Sequence, residues 1–101
     1  MAVEGFPMLP SKGDVVVVVG NRSLCEPCEK LSEFIEKEGD TIDVEFVEID
    51  ILKFNTYFVD ARIDGIPKLF FIRDGKVIMT DNGFKGSVLF MAQISGVFGL
   101  K

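Results

Sequence analysis

The 101-residue chain has no histidine, no tryptophan, one tyrosine (Tyr57) and two cysteines. Zinc normally takes four ligands, and two cysteines without a histidine cannot supply them unless carboxylates or a second chain complete the set. Positive charge is scarce as well: 11 Lys and Arg against 16 Asp and Glu leave a net charge of −5, with no basic cluster. That argues against nucleic acid and anionic membrane as main partners, since both need a basic footprint. The longest apolar run of the first half, VVVVV at residues 15 to 19, falls far short of the roughly 18 residues of a membrane span. The opening MAVEGFPMLPSKGD carries Glu4 and lacks the basic-then-apolar order of a signal peptide. A soluble, intracellular, cytoplasmic protein is expected. Cysteine usage agrees, because small secreted domains are usually disulfide-dense and a bridge over three positions staples almost nothing.

Apolar residues make up 48% of the chain, and ten phenylalanines supply much of a core. The length fits one domain over residues 1 to 101, expected to be a monomer, with residues 1 to 13 (Gly5, Pro7, Pro10, Gly13) as an irregular lead-in. DVVVVVG reads as a fully buried strand, as in a parallel sheet. A helix follows from residue 26 to about 37. Pro27 suits its first turn, Cys28, Leu31, Phe34 and Ile35 form one apolar face, and Gly39 is the stop. Residues 43 to 51 alternate as a second strand, with Val44, Phe46 and the isoleucines partly on one face and Glu45 and Glu48 on the other. A short helix is expected over residues 54 to 61. KLFFIRD and KVIMT flank Asp74-Gly75, a strong hairpin signal. Residues 86 to 98 have the apolar spacing of a closing helix, weakened at Gly96. The order strand, helix, strand, helix, hairpin, helix implies an α/β fold: a mixed four-stranded sheet with helices on both faces.

The two cysteines stand in SLCEPCEKL as Cys25 and Cys28. Buried free thiols acting as ordinary core atoms are the plain alternative. Position favours redox chemistry. Cys25 ends a strand-to-helix loop, where the first helical amides and the helix dipole favour a thiolate. Cys28, one turn inside, is expected to be more buried and closer to neutral. Cys25 can then attack a substrate disulfide, and Cys28 can resolve the mixed disulfide.

CEPC after a β-run, followed by IDGIPKLFFIRDGKV, resembles the thioredoxin family over residues 15 to 98. The resemblance implies a thioredoxin fold, shortened at the N-terminus, that reduces disulfides in a protein partner. It implies Cys25 as nucleophile and Cys28 as resolving thiol, no bound cofactor, and electrons from a separate reductase or from glutathione. It further implies a cis bond before Pro67 and substrate pairing along the backbone of Ile66. Gly83 matches the family's glycine before the last helix. Leu24, Pro27, Ile66 and Phe84 would form an apolar rim around Cys25, although packing alone also accounts for them.

The chain departs from the family in several places. Leu24 replaces the usual Trp, Val19 a buried Asp that takes the proton of the second cysteine, and Phe46 the Lys that pairs with that Asp. Losing both charges leaves none unpaired. Glu26 replaces a Gly, and its carboxylate disfavours a thiolate at Cys25; Arg22, Lys30 and Lys68 are the candidates to offset it, though their plain reading is solvated surface charge. A glutaredoxin-like, glutathione-coupled reductase ranks second, since Asp81-Asn82-Gly83 holds one glycine rather than a pair and Asp64 adds negative charge. A rival of another class is a binding module whose apolar rim docks a partner and whose redox cycling is incidental.

Overall fold

The computed structural model describes residues 12–53 and 65–100. Strand β1 (Asp14–Gly20) leads through a loop into helix α1 (Glu26–Glu38), a 3₁₀ turn (Gly39–Thr41) and strand β2 (Glu45–Asp50). After residue 65 come β3 (Lys68–Arg73), β4 (Lys76–Asn82) and helix α2 (Ser87–Phe98). The strand order is β2-β1-β3-β4, with β1 and β2 parallel and the other two pairings antiparallel. The helix expected over residues 54 to 61 lies outside the described residues, as do residues 1 to 11.

The valine run is buried because β1 sits between β2 and β3 with apolar neighbours on both faces. Val16 and Val18 pack with Leu31, Phe34, Leu69, Phe71, Phe90, Ile94 and Phe98, beneath α1 and α2. Val15, Val17 and Val19 pack with Phe70 and Ile72 on the opposite face. Alternation by one residue thus serves two apolar clusters. Both described helices contribute to the first cluster, so the expectation of a helix on each face rests on residues outside the description.

One local reading is corrected. Strand β2 does not carry Phe46 and its isoleucines on one face. Val44 and Phe46 pack toward the helices, whereas Val47, Ile49 and Ile51 pack on the other side. Glu48 therefore shares the helix-side face with Phe46 rather than the face of Glu45. Gly39 ends α1 as expected, with φ and ψ of −56° and −39°. A Cβ there would lie 3.3 Å from Ile35 Cγ2 and 3.5 Å from the Phe46 ring, so close approach of β2 is what favours glycine.

The Asp74-Gly75 turn has positive φ at both residues, 51° and 82°, as a two-residue hairpin of matching twist requires. Asp74 also accepts the Gly13 amide at 2.8 Å and donates its own amide to the Gly13 carbonyl, joining the hairpin to the start of β1. Arg73 pairs with Asp14 and donates to the Phe98 carbonyl at the end of α2. At the other end of β4, Gln93 of α2 donates to Asp81 at 2.7 Å. That bond, with the Asn82 amide, holds the Asp81 carboxyl below the ordinary Asp range.

Candidate active site

The site forms where β1 ends and α1 begins. Gly20 closes β1, and the carbonyl of Asn21 accepts the amides of Leu24 and Cys25 at 3.0 and 3.3 Å. The Asn21 side chain completes the corner: its oxygen accepts the Ser23 amide, and its nitrogen donates to Asp50 of β2. Asp50 also accepts the Leu52 amide. These two bonds, that from Asn21 first, keep the Asp50 carboxyl below its ordinary range. The loop that delivers Cys25 is thereby tied to the neighbouring parallel strand.

Cys25 is the N-cap of α1, in extended conformation, and its sulfur accepts the Cys28 amide at 3.1 Å. The two sulfurs are joined as a disulfide, with the Cα atoms 5.3 Å apart. Their environments differ. Cys25 is half-buried, whereas Cys28 is 3% exposed and faces the sheet. An incoming group therefore meets the Cys25 sulfur first.

Pro67 is fully buried, and the Ile66–Pro67 peptide bond is cis. A Cβ built on Gly20 would lie 2.8 Å from Cys28 Sγ and 3.7 Å from Pro67 Cα, so the strand end, the second cysteine and the proline loop meet at one point. Gly20→Ala is expected to lower stability by about 1–3 kcal/mol, as overpacking does. It is also expected to displace Cys28 and slow closure of the disulfide. Chemical denaturation and a stopped-flow oxidation trace check the two effects, and an unchanged trace would mean the contact relaxes freely.

The remaining predicted site residues do not all converge. Leu24 (56% exposed), Pro27 and the half-buried Ile66 have the exposure of a rim. Phe84 is half-buried, with its ring centroid 6.0 Å from Phe34 and 5.6 Å from Phe90, so it packs against the core. Gly83 has φ of +87° and donates its amide to the Pro67 carbonyl at 2.8 Å, which holds the loop before α2 against the proline loop. Glu26 pairs with Lys30 at 3.4 Å across one helical turn, an exposed pair of small energetic weight. Arg22 is drawn instead to Glu36. Lys68 contacts Asn82 Oδ1 at 3.4 Å and is paired in register with Val19. Sequence reasoning missed Asn21, Ser32, Glu48 and Asp50, whose links join positions 16 and 29 apart. Among the described residues no cluster of side chains could hold a metal ion, and no helix is long and apolar enough to cross a membrane.

The sequence matches the family profile described as Thioredoxin over residues 3–94. Similar solved structures include a mutant thioredoxin from Halobacterium salinarum NRC-1, with 19% identity, TM-score 0.73, and coverage of 85% of this chain and 75% of that one. Spinach chloroplast thioredoxin f has 22% identity and TM-score 0.66, covering 87% and 74%. Desulfothioredoxin from Desulfovibrio vulgaris Hildenborough, in its reduced form, has 24% identity and TM-score 0.69, covering 83% and 81%. At these identities the structures establish the fold. No curated protein sequence matches the chain significantly.

Proposed function

Because the chain belongs to the thioredoxin family and carries a Cys25–Cys28 dithiol in its disulfide form, we propose that this thiol–disulfide oxidoreductase reduces disulfides in a protein partner. The observation that carries the reading is the asymmetry of the pair. Cys25 caps α1 with its sulfur receiving a helical amide, and Cys28 lies buried one turn behind it. The amide and the helix dipole stabilise negative charge on Cys25, which makes it the attacking thiolate. Attack on a substrate disulfide forms a Cys25–substrate bond and expels the first substrate thiolate. Cys28 then bonds to Cys25 Sγ, the Cys25–substrate bond breaks, and the second thiolate leaves. Two electrons pass to the substrate, and the protein is left as the disulfide seen here.

In this reading Leu24, Pro27 and Ile66 form the apolar contact surface, Pro67 shields the dithiol, and the Ile66 backbone pairs with an extended segment of the partner. Gly83 holds the proline loop, and Phe84 serves the core beneath it. Glu26 and Lys68 adjust the local charge. The protein acts as a single cytoplasmic domain and monomer without a cofactor, re-reduced by a separate reductase. Equilibration of the dithiol with dithiothreitol and glutathione, followed by thiol-specific mass tagging, tests the reading. A potential near about −270 mV is expected of a reductant. A value near about −200 to −230 mV would favour the glutathione-coupled alternative, and the absence of a reversible disulfide would leave only the binding module.

A further inference from the structure

Closing the catalytic cycle requires Cys28 as a thiolate, because the thiol itself does not attack. Cys28 is buried, so its proton must leave through whatever opens onto the sulfur. A cleft of about 440 Å³ reaches Cys28, lined by it together with Gly20, Asn21, Ser32, Glu48 and Asp50 among others. Ser32 lies one turn after Cys28 on the same face of α1, is 7% exposed, and donates its hydroxyl to Glu48 Oε1 at 2.5 Å. The exposed Glu48 of β2 is thus held by Ser32 in the cleft that Cys28 also lines. The other carboxylate there is poorly suited to take a proton. Asp50 Oδ1 already accepts from Asn21 and Leu52, and those bonds favour its charged form. Val19 offers nothing, being apolar and packed on the far face of the sheet.

We propose that Glu48 is the proton acceptor for Cys28 during resolution of the mixed disulfide, with Ser32 as its positioning residue. The inference rests on the function proposed above and deepens it. As the Cys28 S–H bond breaks, its proton passes through cleft water to a Glu48 carboxylate oxygen. The sulfur bonds to Cys25 Sγ, the Cys25–substrate bond breaks, and the departing substrate thiolate is protonated by solvent. Other charges face this carboxylate. Arg22, from the loop before α1, is attracted to Glu48, Glu36 and Glu33 together, and Asp50 follows on β2. A carboxylate near a thiol also disfavours its thiolate by charge repulsion. Loss of a proton acceptor and loss of a repulsive charge therefore have opposite signs.

The test is single-turnover reduction of a purified protein carrying one disulfide, quenched with acid and resolved by thiol tagging into mixed disulfide and products. In Glu48→Gln, formation of the mixed disulfide is expected to keep its wild-type rate. Its resolution is expected to slow about tenfold, a modest general-base contribution because water can partly substitute. Ser32→Ala is expected to show a smaller loss of the same step, and Glu48→Asp, which keeps the carboxylate, to recover part of the rate. Resolution at or above the wild-type rate in folded Glu48→Gln would overturn the assignment while leaving the reductase reading intact. If Cys28→Ser traps no mixed disulfide with the same substrate, the reductase reading fails and this inference with it.

Discussion

Cys25→Ser is expected to lower the rate of protein-disulfide reduction by at least about a thousandfold, because an alkoxide is not available near neutral pH to replace a thiolate. Nothing else in the molecule can take over. The only other sulfur nucleophile, Cys28, is buried beside Gly20, out of reach of an incoming disulfide. Cys28→Ser has a different consequence. Cys25 still attacks, but the mixed disulfide persists until an external thiol resolves it, so a covalent adduct accumulates on a non-reducing gel. Steady-state reduction with dithiothreitol as donor measures the first effect, and mass analysis of the adduct the second. A Cys25→Ser protein that reduces as fast as wild type would remove the enzyme reading. Intact partner binding and an intact phenotype in the double Cys→Ser variant would instead favour the binding module.

What could be read in the sequence follows from how local each signal is. The cysteine pair, the β-branched run before it and the Asp74-Gly75 turn are each set by a few adjacent residues, and each appears as the residues dictate. Helix α2 continues through Gly96 to a left-handed Gly99, because Phe90, Ile94 and Phe98 are buried along one side and that packing outweighs a single helical glycine. The site's supporting bonds were not legible. Asn21 with Asp50 and Ser32 with Glu48 are ordinary polar residues until the parallel pairing of β1 with β2 brings them together. Ser32 interrupts the apolar face of α1 and is buried beside Cys28 and Leu31, which is the one sequence signal that could have pointed to it. The faces of β2 were misread for a related reason. Its residues 46 to 49 hold two adjacent apolar positions, Phe46 and Val47, so alternation alone does not decide which side faces the helices.

Phe71→Ala is expected to cost about 3–5 kcal/mol of stability, the range for removing a fully buried phenylalanine. The ring lies at the centre of the sheet. Phe71 is paired in register with Val16 of β1 and Met79 of β4, is 0% exposed, and has its centroid 6.0 Å from that of Phe98. Its loss opens a cavity between β3 and α2 that backbone pairing on both sides keeps from collapsing. A domain of this size is stable by only about 5–15 kcal/mol, so much of the margin goes with one side chain. At an m-value of about 1.5 kcal/mol/M the urea midpoint moves down by roughly 2–3 M. Val88→Ala is the control: Val88 is 80% exposed on α2, and its removal is expected to change stability by no more than about 0.5 kcal/mol. Both variants are compared in the oxidised form, so that the disulfide contributes equally. The folded fraction of Phe71→Ala is expected to react at Cys25 as wild type does, because Phe71 sits four residues along from Pro67 and packs within the helix-side core. A midpoint shift as small as that of Val88→Ala would mean the ring is not the packed centre of the helix-side core. A loss of Cys25 reactivity in the folded protein would mean instead that β3 transmits its packing to the proline loop.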